Sequence, residues 1–353
     1  MFVRDLARAG ALVGAVALAL AAWQLAYILL LGFLGLLVAI LLRQPAEALA
    51  RRTPLPVGAA LAVVILGVAA LAAAFVVSIG PRILAQLGQL WTQLPAAAAE
   101  VTAALEQRQW GQALLARLEP PDDGPRWSAL GAIGGTVSTL IGLAANLVVV
   151  LTVAVFLAAD PGLYRRGAVR LVPPARRARA GEVLDALGEG LWRWLLGQLF
   201  DMLVVAGLVW LGLWLLGVPL PLALGVVAGL LNFVPYVGPF LGAAPAVLIA
   251  LGQGPEAAVW TALLFLAVQQ FEGNVVMPLV QRRATAMPPA LTILAVAGFG
   301  VLFGLLGVFL AAPLLLVLLV LARMLWVEDA LGDRLDPSGS AEGGGAAARD
   351  PEG

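Results

Sequence analysis

Two short stretches of this 353-residue chain hold the side chains whose types and spacing could do chemistry. The first is the run Asn-Phe-Val-Pro-Tyr-Val-Gly-Pro, Asn232 to Pro239, which interrupts an otherwise apolar segment from Leu222 to Leu251. Pro235 and Pro239 withhold two amide donors, Gly238 permits turns that other residues resist, and Asn232 and Tyr236 add polar side chains. In hydrocarbon every backbone N–H and C=O must find a partner, so irregular backbone survives only inside protein or against a water-filled cavity. Broken helices of this kind offer free carbonyls and helix ends to polar substrates or ions. The alternative is a tight loop at the membrane surface.

The second stretch is the polar cluster Gln269, Gln270, Glu272 and Asn274, inside the apolar span from Ala257 to Pro278. An acidic residue at the centre of a membrane helix costs about 2.5 to 3.5 kcal/mol on insertion scales, so such residues usually face a bundle interior and serve a purpose. Glu272 is the leading candidate for a proton or cation site. The alternative places it near the inner interface, where it pairs with Arg282 or Arg283 about 15 Å further along the helix. Asp201 is the other carboxylate in a clear span; its closeness to Trp192 and Trp194 reads as interfacial placement rather than as part of a conducting path.

Other chemistry is excluded by what the chain lacks. It has no His and no Cys, which removes thiol catalysis, disulfides, imidazole proton shuttling and the usual zinc ligands. No Walker-type loop and no acidic cluster at metal spacing occurs. An enzyme is therefore not expected and no cofactor is called for; transport, if active, must draw on an ion gradient or the solute's own gradient.

The elements that must position these residues are transmembrane helices. Hydrophobic residues make up 62% of the chain and charged ones 12%, against about 45 to 50% and 25% in a soluble domain. Apolar runs of 18 or more residues recur, each long enough to cross about 30 Å of hydrocarbon as a helix. The alternating ten-residue segments of a membrane β-barrel are absent. The expected fold is all-α, a polytopic bundle of about eight spans with both termini in the cytoplasm of a bacterial cell and the spans in its inner membrane. The formal net charge of zero gives no reason to expect a nucleic-acid partner; the lipid bilayer is the expected one.

Residues 1–80 hold an N-terminal hairpin, turning near Gly32 or Gly35, and a third span from Val57 to Ile79. Residues 1–22 imitate a secretory signal, but the apolar run continues to Leu42 and ends at Arg43, as an anchor does. Arginines flank the run on both sides, which puts both flanks inside. Residues 81–138, with four arginines against five acids, form an external helical segment, in which Ile83, Leu84, Leu87, Trp91 and Leu94 repeat at helical spacing. Residues 139–328 form the main transport region, including a basic loop, 160–198, whose seven arginines against four acids mark it as cytoplasmic. Within it Leu222 to Leu251 has halves of about 13 residues, too short for ordinary spans, and reads as a broken or re-entrant helix pair. Pro289 to Trp326 is too long for one span and contains Gly298, Gly300, Gly304 and Gly307, which suits a second hairpin; the repeat from Gly300 to Gly307 reads as a small-residue packing surface. Residues 329–353 form a cytoplasmic tail, disordered where Gly, Ala and Ser dominate.

These residues resemble the autoinducer-2 exporter family, also described as PerM-type permeases. The match is carried by Gly217, Pro219, Gly225, Gly229, Asn232, Pro235, Tyr236, Gly238, Pro239, Gly242 and Pro245, with Gly197 and Gln198 before them. Further matches are Glu272, Asn274 and Pro278, then Phe303, Gly304, Gly307 and Pro313. The resemblance covers residues 1–328. It implies a multi-helix transporter, assembled as a homo-oligomer with a pentamer among the options, that exports autoinducer-2 or another small polar solute; some relatives are described as cation/proton antiporters, so protons or sodium are implied as coupling ions. Relatives often carry a His where Met287 stands here; if that His handles protons in them, this chain relies on Glu272 or differs in mechanism. A sodium/proton antiporter and a non-transporting membrane scaffold, recruiting lipid or a partner through the arginine loop, are the competing readings.

Overall fold

The computed structural model describes residues 2–107, 112, 137–278 and 288–333. Every regular element among them is helical. In chain order they are α1 (Phe2–Arg52), α2 (Val57–Ser78), α3 (Gly80–Glu106), α4 (Val137–Ala159), α5 (Pro161–Arg170), α6 (Arg177–Leu215), α7 (Pro221–Leu231), α8 (Gly238–Leu251), α9 (Pro255–Phe271) and α10 (Pro289–Leu321), with π-helical turns at Glu272–Val276 and Ala322–Glu328. Five of these stretches are long and apolar enough to cross a membrane: Leu25–Arg52, Val57–Ser78, Gly142–Ala159, Pro174–Leu215 and Pro289–Glu328. The expected polytopic helical bundle is what the chain forms.

The N-terminal hairpin is not formed. Helix α1 runs unbroken through Gly32 and Gly35, and the reason lies in packing. A Cβ added at Gly35 would lie 2.8 Å from Val153 Cγ1 on α4, so this glycine lets two helices approach rather than letting the chain turn. Ala39 and Ala46 of α1 pack with Ala154 and Ala158 of α4 and with Ala60 and Leu61 of α2. Arg43 closes the arrangement by donating to the carbonyl of Ala158 at 2.9 Å, near the C-terminal end of α4. The placement of both termini on one side drew on that hairpin, and a straight α1 removes this support for the N-terminus.

The C-terminal hairpin is formed. Gly304 has φ 63° and ψ −146°, a conformation that is essentially glycine-only. Added Cβ atoms at Gly300 and Gly307 would touch Val308 and the Phe299 carbonyl. In a straight helix residues eight apart lie about 12 Å from each other, so these contacts require the chain to double back.

Helix α6 is the axis of the molecule. Its 39 residues reach about 58 Å, and the basic stretch 160–198 is itself mostly helix, made of α5 and the first half of α6. Its buried face, Leu191, Trp194, Leu195, Asp201, Val205, Val209 and Leu213, follows helical spacing. The upper part packs against α7, α8, α9 and Leu90 of α3, and the lower part against α1 and the second arm of α10. Helix α3 follows α2 after a bend at Ile79 and buries Ile83 and Leu90, with Leu87 and Leu94 half-buried behind them, whereas Leu84 and Trp91 stay exposed.

Candidate functional site

Helices α7 and α8 form a hairpin with its tip at residues 232–237. Neither arm, of 11 and 14 residues, reaches the length of a normal span. The hairpin lies against α6 because glycines strip side chains from the contact. A Cβ at Gly225 would be 2.8 Å from the Ala206 carbonyl, and one at Gly229 would be 2.6 Å from Ala206 Cβ and 2.7 Å from the Met202 carbonyl. Small residues four apart allow this close antiparallel approach. Across the hairpin, Gly242 sits at Ala228, and a Cβ at Gly238 would fall 2.0 Å from the Leu231 carbonyl. Outside the tip, Gln86 of α3 accepts from the Ala223 amide at 2.9 Å, satisfying one of the free donors of the first turn of α7.

This register carries the hairpin tip down to the level of Gln198 and Asp201, 14 residues below the upper end of α6 at Leu215, or about 21 Å. There Asn232 Nδ2 donates to Asp201 Oδ2 at 2.6 Å, and Gln198 Nε2 donates to the Asn232 carbonyl at 2.9 Å. Gln198 and Asp201 are three residues apart and share a helix face. The tip turn satisfies its own amides locally: Phe233 and Val234 donate to Leu230 and Leu231, and Gly238 donates to Val234 at 2.9 Å. Tyr236 adopts φ 64°, an uncommon conformation for a side-chain-bearing residue, imposed by the turn between Pro235 and Pro239.

Glu272 reaches the same place from α9. Residues 255–278 are continuously helical, with a π-helical turn at Glu272–Val276; such turns often mark functional positions. Only Glu272 and Val276 of that turn are buried. The Glu272 carboxyl lies close enough to the Asn232 side chain and to Asp201 to feel both. Asp201, Asn232 and Glu272 are 7%, 3% and 7% exposed, so two carboxyls and an amide are withdrawn from solvent together. Asp201 Oδ1 has no hydrogen-bond partner, a condition shared among the described buried side-chain atoms only with Thr261 Oγ1.

The structure thus separates residues that looked alike in sequence. Asp201, expected at an interface, is buried at the hairpin tip, because the chain folds α7 back along α6 to meet it. Gln269, Gln270 and Asn274 do not join the site: all three are exposed, and Asn274 donates to the Gln270 carbonyl at 2.9 Å. Pro235 and Pro239 are half-buried, while Tyr236 is exposed. Arg282, Arg283 and Met287, and with them the pairing of Glu272 to an arginine, lie outside the described residues.

Some participants were not recognised from sequence. Phe233, next to Asn232, stacks on Phe309 at 3.9 Å between ring centroids and meets Trp194 edge-on at 5.7 Å. In sequence Phe233 and Phe309 are ordinary apolar residues of apolar segments, and nothing in their spacing pairs them.

Chemically, the arrangement offers two buried carboxyls and one amide, which is bonded to Asp201. If both are ionised, like charges face each other in a medium of low dielectric constant, where their repulsion is strong. A proton or a small cation removes that repulsion. Among the described residues no group of three or more metal-binding side chains occurs.

The model of the AI-2E family transporter matches residues 12–325 of this chain. The chain belongs to the AI-2E transporter family. Among its relatives, YueF of Bacillus subtilis is 30% identical over 67% of this chain and 68% of its own length. YrrI of the same organism is 30% identical over 54% and 55%, and PerM of Escherichia coli is 31% identical over 48% and 51%. Their names assign them provisionally to transport, the first two as transport proteins and the third as a permease. AI-2E membership makes the chain a multi-pass membrane transporter rather than an enzyme.

Proposed function

We propose that this AI-2E transporter is a secondary exporter of a small polar solute, such as autoinducer-2, in the bacterial inner membrane, with Asp201, Asn232 and Glu272 as its ion-coupling site. The observation that carries the reading is the hairpin tip hydrogen-bonded to the buried Asp201, whose other oxygen is left unpartnered, with the buried Glu272 nearby. Irregular backbone in a membrane protein belongs where protein or a polar cavity surrounds it, and broken helices at such sites bind ions and polar solutes. Occupancy by a proton or cation stabilises the docked tip; its loss leaves two like charges beside Asn232 and favours release of the hairpin. A gradient of that ion thereby drives a conformational change.

The arginine-rich end is cytoplasmic by the positive-inside rule. The C-terminal end shares that side, because Arg179 binds Glu328 at 2.7 Å and Asp329 at 3.0 Å. The transporter is proposed to act as a homo-oligomer. In reconstituted vesicles, uptake of labelled autoinducer-2 should exceed that of empty liposomes and should respond to an imposed pH gradient; equality with empty liposomes under both conditions removes the exporter reading. A second reading, sodium/proton antiport, draws on the buried carboxyl of Glu272. A Glu272→Gln variant that exchanges sodium for protons at the normal rate would remove it.

A further inference from the structure

A cavity of about 1300 Å³ opens at the arginine-rich end of the bundle, among α1, α5 and the lower half of α6. Its deeper wall is apolar: Phe33, Ile40, Leu191 and Val317 line it, and all four belong to the hydrophobic cluster that contains Trp194, Phe233 and Phe309. Along α6 the order is Leu191 in the cavity wall, Trp194 against Phe233, and Gln198 on the Asn232 carbonyl, so the Trp194 and Phe233 rings lie at a level between the cavity and the hairpin tip. Phe233 is bonded to Asn232, so any movement that undocks Asn232 from Asp201 also moves the ring that closes the cavity.

The polar rim fixes the kind of solute the cavity suits. Three arginines and three carboxylates line it, and they are paired: Arg43 with Glu47 and Arg165 with Asp185, both at 2.7 Å, and Arg193 with Glu189. The Asp185 hydrogen bond and charge raise the Arg165 pKa, which holds that guanidinium charged. An anionic solute would need a free guanidinium and a cationic one a free carboxylate. Balanced pairs instead present both signs at short spacing, which suits an uncharged polyhydroxylated or zwitterionic molecule, while the apolar wall excludes none of its carbon skeleton.

We propose that this cavity is the cytoplasmic vestibule through which an uncharged or zwitterionic polar solute enters, and that Phe233 is the gate between it and the Asp201–Asn232–Glu272 site. The inference rests on the transport reading and deepens it, by naming the route of entry and the class of solute.

The absence of cysteine from the whole chain makes the test direct, since a single introduced thiol is the only reactive one. Gly188 lines the cavity, and a Cβ there meets nothing within 4 Å, so Gly188→Cys is the vestibule reporter. Gln198→Cys, one turn of α6 above Trp194, reports from behind the gate. Both are treated with a charged, membrane-impermeant thiol reagent in inside-out and right-side-out vesicles.

Gly188→Cys should react only from the cytoplasmic face, and unlabelled autoinducer-2 should slow it. Gln198→Cys should react from that face roughly tenfold faster when Phe233→Ala is added, the factor expected from losing two ring contacts. Phe309→Ala serves as a second opening variant, and each protein is checked for a monodisperse elution profile. The proposal is overturned if Gly188→Cys is unreactive from both faces, as it would be with lipid or a second subunit filling the cavity. It is also overturned if neither ring truncation changes the Gln198→Cys rate. Failure of autoinducer-2 alone to protect would reject that solute and leave the vestibule to be probed with glycine betaine as the zwitterion; absence of protection by both overturns the assigned class. These outcomes are independent of net flux, so they can fail while the transport reading stands.

Discussion

The contact between α6 and α7 can be tested by adding one methyl group. In Gly229→Ala the new Cβ would start 2.6 Å from Ala206 Cβ and 2.7 Å from the Met202 carbonyl. Ordinary carbon–carbon contact begins at about 3.5 Å, so the helices must part by about 1 Å, and the obstructing atoms include backbone that cannot rotate aside. The Asn232 to Asp201 hydrogen bond, now 2.6 Å, would stretch toward about 3.6 Å, beyond hydrogen-bonding range. Overpacking of this kind costs about 1 to 3 kcal/mol. Two controls grade the effect. At Gly207 an added Cβ meets nothing within 4 Å, and at Gly212 it meets only the Leu264 side chain, which can change rotamer. Thermal unfolding of detergent-solubilised protein, followed by tryptophan fluorescence, should rank Gly207→Ala with wild type, Gly212→Ala slightly below and Gly229→Ala lowest, with transport lost only in the last. Equal melting of the Gly207 and Gly229 variants would refute the reasoning.

Three other substitutions probe separate parts of the account. Asn232→Ala removes the donor to Asp201 and leaves a buried carboxyl without a partner, at a cost of about 1 to 3 kcal/mol; a denaturation midpoint equal to wild type would contradict the bond. Gln86→Leu should uncap α7, costing about 1 kcal/mol, whereas Gln86→Glu keeps an acceptor for the Ala223 amide and should melt closer to wild type. Gly304→Ala forces a Cβ into φ 63°, ψ −146°, a strain of about 1 to 3 kcal/mol; an unchanged unfolding temperature would argue against the turn.

The interruption at Asn232 to Pro239 was legible because Pro and Gly act through local backbone chemistry, which sequence displays directly. The hairpin at Gly304 was legible from length and glycine content together. Gly35 misled for the same reason that Gly304 informed: a glycine in an apolar run can permit a turn or a close helix contact, and only its neighbour Val153, more than a hundred positions away, decides which. Asp201 looked interfacial because its distance to the tryptophans is visible in sequence and the returning hairpin is not. Gln269, Gln270 and Asn274 shared Glu272's polarity and span, yet the helix faces Glu272 inward and leaves them exposed. The Gly225 and Gly229 contact was present as a pattern, but its partner surface on α6 emerges only with the register.

The central claim is that the carboxyl pair beneath the hairpin tip couples an ion gradient to solute movement. Its most direct test is accumulation of labelled autoinducer-2 in proteoliposomes across a graded pH difference, comparing wild type with the Asp201→Asn, Glu272→Gln double variant, which keeps side-chain size and removes both titrating groups. Wild type should accumulate solute in proportion to the gradient, and the double variant should only equilibrate it, with no response to pH. Gradient-driven accumulation by the double variant at the wild-type level would contradict the account.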